Sequence, residues 1–209
     1  MKLPPRSLCS LPPRGPSVPS ERPGGTDMLF DPTTVITQMD TRLGLVTLAA
    51  TDQGLAGLWF AQQKHHPDIR SWRRDDRHPC LVQACDELAQ YLQGRRSRFT
   101  VALDLRSGSE FQQSVWNALG AIAHGDTSSY GAISRQIGRP SAVRAVGAAV
   151  GRNPISIVVP CHRVLGANGA LTGYAGGLER KAALLALEST AQVVTTHLPA
   201  PVETRTMRA

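Results

Sequence analysis

Ile155-Ser156-Ile157-Val158-Val159-Pro160-Cys161-His162-Arg163-Val164 is the stretch on which the reading of this chain turns. Residues 155–159 are short, apolar and rich in β-branched side chains, which reads as a buried strand. Pro160 stops it, so Cys161 is held just past a rigid strand end. Buried cysteine is usually inert packing, but an adjacent imidazole, here His162, can lower a thiol pKa and make thiolate available. Neighbouring residues of a strand point to opposite faces, so His162 needs a turn or a bridging water to act on the Cys161 sulfur. At this level Cys161 is either a packed thiol or an activated one.

Upstream the pattern is helical. Ser109 followed by Gln112 makes a capping box, and Phe111, Val115, Leu119 and Ile122 form one apolar stripe. A short helix over residues 129–137 is broken by Gly138-Arg139-Pro140, and Ser141 is placed to cap another over residues 142–150. Two short helices joined by a tight glycine-containing turn make a helix-turn-helix shape. The second carries almost no large side chains and one charge, Arg144, so it either packs tightly on a neighbour or approaches DNA closely. Downstream, Gly173-Tyr174-Ala175-Gly176-Gly177 is a glycine-rich loop with no Gly-Lys-Ser/Thr after it, which argues against a nucleoside-triphosphate site and for a loop lining a flat pocket. The helix that follows, over residues 178–188, ends its apolar stripe at Glu188. That carboxylate is either a surface charge or a group that orients a base.

The N-terminal part reads differently. Residues 35–37, 45–48 and 55–60 are short strands separated by turn signals at Leu43-Gly44 and Asp52-Gln53-Gly54, which fits a small antiparallel sheet. A helix starts at Pro79, carries Leu81, Cys85, Leu88 and Leu92 at helical spacing, and closes at Gly94. Residues 99–105 look like a further strand, and Ser107-Gly108 like a linker. Residues 1–27 hold Pro4, Pro5, Pro12, Pro13, Pro16, Pro19 and Pro23 and little apolar pattern, so they read as an unstructured leader, with Met28 a second candidate start. The expected organisation is a leader (1–27), an N-terminal α/β unit (28–106), a mainly helical unit with the helix-turn-helix and the cysteine loop (107–190), and a flexible tail (191–209). The fold class is mixed α/β (α+β).

Composition bounds the rest. Of 209 residues, 23 are Lys or Arg and 16 are Asp or Glu, a formal charge of +7, with 41% hydrophobic and 19% charged residues. That is too apolar for a disordered chain. No run approaches the roughly 18 apolar residues of a membrane span, and the first residues lack a signal peptide's apolar core, which predicts a cytoplasmic protein with no membrane partner. Four scattered cysteines make no disulfide framework. A pI near 9.8 is compatible with nucleic acid but weak evidence for it.

Taken in order, Arg144-Ala145-Val146-Gly147, Asn153-Pro154, Pro160-Cys161-His162-Arg163-Val164, Gly173-Tyr174-Ala175-Gly176-Gly177-Leu178 and Glu188 resemble the O6-alkylguanine-DNA alkyltransferases, also called methylated-DNA–protein-cysteine methyltransferases. The resemblance runs from about Phe111 to Glu188, and more loosely over residues 33–105. It implies direct, irreversible transfer of an alkyl group from O6-alkylguanine in double-stranded DNA, and by analogy O4-alkylthymine, to Cys161, once per molecule. It further implies that His162 acts as base through a water, that Glu188 holds the imidazole, and that Asn153 orders the turn before the active-site segment. Arg144 would fill the stack when the nucleotide is flipped out. Tyr130 would help rotate the phosphate and protonate the leaving guanine, and Ser129, Arg139 and Gln112 are further DNA-contacting candidates. Val164 and Ala175 would read the base through backbone groups, with Tyr174 and Pro160 in the pocket wall.

The resemblance implies no cofactor. Some relatives hold zinc in the N-terminal part, but Cys80, Cys85, His65, His66 and His78 fit no standard zinc spacing, so no metal is expected. Cys9 alone cannot supply the cysteine-rich zinc unit of the larger regulatory relatives, which favours a stand-alone monomeric repair protein. Ala175 stands where several relatives have serine. The competing readings are a silent lesion-sensing relative, which would lack Cys161, a helix-turn-helix regulator, which would not explain Asn153, Tyr174 and Glu188 in register, and a thiol hydrolase, which would turn over.

Overall fold

The computed structural model describes residues 30–196. Strands β1 (Val35–Thr41), β2 (Gly44–Thr51) and β3 (Gly54–Phe60) form an antiparallel meander, and the short β4 (Arg73–Arg74) adds in parallel beside β1, giving the order β3-β2-β1-β4. The expected strands and turns are present, each strand longer than its apolar stretch. Gly54, at φ +148°, is needed at its turn, because a Cβ there would stand 2.5 Å from the Ala102 carbonyl oxygen. Every residue of β3 is buried, since both faces of the sheet are covered. Leu58 and Phe60 face the main core, while Trp59 packs with Ile36, Ala49 and the rings of Phe30 and Trp72 on the other side.

Helix α1 (Pro79–Leu92) has its proline in the first turn and ends before Gly94, which adopts φ +72°. Its buried face is Leu81, Ala84, Leu88, Tyr91 and Leu92, so Ala84 and Tyr91 take the place expected of the half-buried Cys85. Buried Glu87 then decides the next segment. Its carboxylate accepts the N–H groups of Thr100 (2.8 Å) and Val101 (3.3 Å), donors that a strand would have offered to a neighbour. Residues 99–105 are accordingly not a strand; they pair with β3 only as the isolated Leu55–Leu103 bridge.

Helix α2 (Glu110–Gly120) opens with the expected capping box: the Ser109 hydroxyl accepts the Gln112 N–H, and Gln112 reaches back to the Ser109 N–H. The two-residue strand β5 (Ser128–Ser129) leads into α3 (Tyr130–Gln136), capped by Ser129. A turn closed by the Ala142 N–H on the Arg139 carbonyl separates it from α4 (Val143–Gly151). That turn contains Ser141, so Ser141 does not cap α4; Ala142 occupies the cap position without a side-chain bond.

Residues 155–159 depart from expectation more sharply. They form tight turns with Ile157 at φ +71°, and only Ile155 pairs, as a single bridge to Leu58 on the outer edge of β3. The run is buried because it lies against that edge and under the core, which an apolar pattern alone does not distinguish from a strand. One 3-10 turn (Cys161–Arg163) follows, then β6 (Val164–Leu165), paired in parallel with β5. The last helix, α5 (Leu178–Thr196), continues past the expected end at Glu188. The expected leader and the tail from residue 197 lie outside the described residues.

Buried side chains from β1 to α5 merge into one cluster, and the expected linker is itself packed, since a Cβ on Gly108 would lie 2.3 Å from the Trp116 ring. Trp116, fully buried, donates its indole N–H to the Ala149 carbonyl at 2.9 Å and ties α2 to α4. Trp116→Phe, which loses that bond and leaves a small void, should cost about 2 kcal/mol. Urea unfolding measures it, and an unchanged midpoint would show that the indole contributes nothing beyond bulk.

Candidate active site

Asn153 builds the turn that presents the thiol. Its Oδ1 accepts the Ile155 N–H at 3.0 Å, and its Nδ2 donates to the Val159 carbonyl at 2.8 Å and to Cys161 Sγ at 3.0 Å. The 3-10 turn then solves the reach problem that a strand would have posed for His162, because both side chains leave one tight turn rather than opposite faces of a sheet. Cys161, His162 and Arg163 are all buried.

Glu188 is fully buried and gathers the surrounding donors. His162 Nε2 lies 2.9 Å from Oε1; Arg163 binds through Nε (3.0 Å to Oε2) and Nη2 (2.8 Å to Oε1); Gly125 donates its N–H to Oε2 at 3.1 Å; and the Tyr91 hydroxyl donates to Oε1. Arg163 Nη1 also donates to the Ile122 carbonyl. Burial opposes ionisation of Glu188, but hydrogen bonds from His162 and Arg163 outweigh it and hold the carboxyl well below its ordinary range.

An ionised Glu188 can only accept, so the proton of neutral His162 is assigned to Nε2 and the lone pair to Nδ1. Among the described residues Nδ1 is buried with no hydrogen-bond partner. Burial lowers the His162 pKa, with Glu188 pulling against it and the Arg163 cation adding to it, so the ring is neutral at pH 7. Burial also pushes the Cys161 thiol up to about 11, although Asn153 and Lys181 pull it down. Such a thiol is ionised only to about one part in ten thousand at pH 7, so a reaction at its sulfur needs a base that takes the proton.

The pocket wall comes from the loop before α5. Fully buried Lys181 donates to the carbonyls of Val164 (2.6 Å) and Thr172 (2.7 Å), joining β6 to the loop. The Tyr174 side chain is buried there, and Pro160 and Val164 are buried beside the thiol turn. The Ala175 carbonyl accepts the Lys64 N–H at 3.1 Å, so the carbonyls of Val164 and Ala175, the two residues expected to read a base through backbone groups, each hold one donor, which leaves a carbonyl its second lone pair. Tyr130, at the start of α3, reaches the carbonyls of Thr172 and Gly173 only at 3.5 Å.

Two family patterns match the chain. Residues 34–105 match the family described as 6-O-methylguanine DNA methyltransferase, ribonuclease-like domain, and residues 110–190 that described as 6-O-methylguanine DNA methyltransferase, DNA binding domain. A Mycolicibacterium paratuberculosis protein named methylated-DNA–protein-cysteine methyltransferase is 51% identical over 150 residues, 72% of this chain and 89% of the relative. The chain belongs to the methylated-DNA–protein-cysteine methyltransferase family. An inducible Bacillus subtilis methyltransferase of the same name is 46% identical, covering 72% of this chain and 82% of its own length. The crystal structure of Mycobacterium tuberculosis OGT in complex with DNA superposes with a TM-score of 0.69 at 46% identity, over 75% of this chain and 94% of that one.

Of the residues singled out from sequence, the fold of this methyltransferase brings Cys161, His162, Asn153 and Glu188 together and sets Pro160, Val164 and Tyr174 around them. Tyr130 lies between α4 and the loop: a Cβ on Gly147 would be 3.9 Å from its ring, and one on Gly173 3.5 Å from its hydroxyl. Arg144, one helical turn before Gly147, is exposed on the same side of α4. Arg139 is exposed in the turn, while Ser129 and Gln112 have their side chains engaged in helix caps. Sequence reasoning missed Tyr91 and Lys181 and gave Arg163 no role. Lys181 and Glu188 both sit on the apolar stripe of α5 with Leu184, and two charges on such a stripe were the available signal.

Glu188→Gln leaves the Arg163 guanidinium buried without its counterion and should cost about 3 kcal/mol at pH 7. A carboxyl whose folded pKa lies below the unfolded value near 4.3 stabilises the fold above that pH and loses the contribution as pH falls through its folded pKa. Urea midpoints should therefore separate the variant from the wild type widely at pH 7 and progressively less below about pH 4; a constant gap would contradict the assignment.

Proposed function

We propose that this protein repairs alkylated DNA by moving the alkyl group from O6 of a flipped guanine to Cys161, and the observation that carries the reading is a buried thiol held by Asn153 beside a neutral imidazole locked by Glu188. The thiol proton passes through a water to His162 Nδ1. The sulfur then attacks the alkyl carbon in line, the C–O bond breaks, and its electron pair moves into the guanine, which takes a proton from Tyr130 and leaves neutral. The product is a thioether, and no group in the site returns the thiol, so each molecule acts once.

The loosely held Tyr130 hydroxyl is suited to exchange its two long contacts for a base nitrogen. The lesion is out of reach inside a duplex, so the nucleotide must leave the stack, and exposed Arg144, on the same side of α4 as Tyr130, fills the gap. The small side chains of α4 permit the close approach this needs, and Arg139 contributes phosphate attraction that falls with salt. Ala175, Val164, Tyr174 and Pro160 shape the base pocket. A working free thiol suits a reducing compartment, and we place the protein in the cytoplasm. Among the described residues no helix is long and apolar enough to cross a membrane.

Intact-mass spectrometry after mixing with excess duplex bearing one O6-methylguanine tests this. The protein should gain a single CH2 unit, about 14 Da, mapped to Cys161. Cys161→Ala should bind the same duplex and gain nothing, and Arg144→Ala should reach the same endpoint about tenfold more slowly. No gain in the wild type, or a gain in Cys161→Ala, would overturn the reading.

A further inference from the structure

We infer that Tyr91, carried into the site by α1, is a positioning residue for alkyl transfer: its hydroxyl shares Glu188 Oε1 with His162 Nε2 and thereby sets how strongly the carboxylate holds the imidazole and how basic that imidazole is. The inference rests on the function proposed above and adds to it a residue from the N-terminal part.

The geometry is specific. Tyr91 is fully buried, its ring packed 5.2 Å from that of Phe99 and edge-on to that of His124 at 6.0 Å. A phenylalanine would fill this space equally well, so the hydroxyl has a separate purpose. It donates to Glu188 Oε1 and lies 3.4 Å from His162 Nε2, within the relay rather than beside it. Oε1 therefore takes donors from three side chains, Tyr91, His162 and Arg163, and each one drains negative charge from the others' bond.

The groups that act on the imidazole come from several elements: Arg163 from the 3-10 turn, Lys181 and Glu188 from α5, and Tyr91 from α1, with His124, from the segment before β5, edge-on to Tyr91 and coupled to Glu188 and Arg163. Arg163 and Lys181 disfavour an imidazolium, and the Glu188 anion alone favours it. Burial and the Glu188 charge push the Tyr91 phenol above its ordinary range, so it stays protonated and remains a donor wherever the protein is folded. A permanent donor on Oε1 weakens the pull of the anion on His162 and keeps the base deprotonated to lower pH. Removing the hydroxyl strengthens that pull and raises the pH at which the base becomes protonated.

The experiment compares wild type with Tyr91→Phe in two measurements: the rate constant for methyl transfer to Cys161 across pH, and the NMR titration of the His162 ring in the free protein, which needs no transfer. Both midpoints should move up by about one pH unit, a rate loss of about tenfold below both midpoints with little loss at high pH. In a Glu188→Gln background the same substitution should shift neither midpoint, and a fluorinated tyrosine, a stronger donor of the same shape, should move the ring midpoint down. A uniform rate loss with unmoved midpoints in Tyr91→Phe would make Tyr91 mere packing and overturn the inference; if that variant does not fold, an unmoved midpoint with the fluorinated tyrosine overturns it. A wild type that transfers nothing would instead overturn the functional reading, and the ring titration would still decide the place of Tyr91.

Discussion

One buried carboxylate organises this molecule. Taking a charge out of water costs several kcal/mol unless it is fully paired and hydrogen-bonded, and Glu188 is placed on the inner face of α5 where only protein can supply the partners. Four partners arrive from three separate places: Tyr91 on α1, the Gly125 backbone before β5, and His162 and Arg163 on the thiol turn, all converging on α5. Satisfying the charge therefore forces the N-terminal helix, the approach to the helix-turn-helix and the reactive turn into one arrangement. The fold and the relay are consequences of the same electrostatic demand.

A second constraint is the open edge of β3. Unpaired strand edges invite unwanted association, and here the edge is covered from within by the 99–105 segment at Leu55 and by the Asn153 turn at Leu58. Backbone bonds from the Leu58 N–H to the Pro154 carbonyl and from the Ser156 N–H to the Leu58 carbonyl, 2.8 and 2.9 Å, fasten the reactive segment to the sheet. The small sheet is thus the fixed wall against which Asn153 and Cys161 are set, which gives the N-terminal part a mechanical role in a reaction whose nucleophile lies elsewhere.

These two constraints explain which features were legible from sequence. Local devices were: the Ser109–Gln112 box, Pro79 at the start of α1, and the Ser129 cap each act within a few residues, so their chemistry is readable without the fold. The Cys161, His162 and Glu188 set was legible because its spacing and neighbours resemble a known family. What failed depended on distant partners. Residues 155–159 have a strand's composition, yet the Asn153 side chain takes the backbone groups that a strand would use. Residues 99–105 fail for the same reason, with Glu87 as the competitor. Tyr91 was hidden because its spacing on α1 is that of a core residue, which it also is; only its hydroxyl is functional, and a helical pattern carries no information about where a hydroxyl ends.

The resting thiol completes the picture. A low-pKa cysteine would be available to oxidants and stray electrophiles, and a protein that reacts once cannot recover from a wrong partner. Holding Cys161 near 11 keeps it protonated and unreactive, while in the proposed mechanism a neutral His162 with its lone pair already oriented takes the proton. Reactivity then depends on an alkyl carbon lying in line with the sulfur, because proton removal is favourable only as the new S–C bond forms and the guanine departs. Selectivity comes from when the thiolate exists. In the proposed transfer the burial that makes Cys161 a poor nucleophile at rest also keeps bulk solvent from the sulfur, leaving room only for the bridging water, and Asn153 and Lys181, which pull the thiol pKa down, are in place to stabilise the developing negative charge on sulfur.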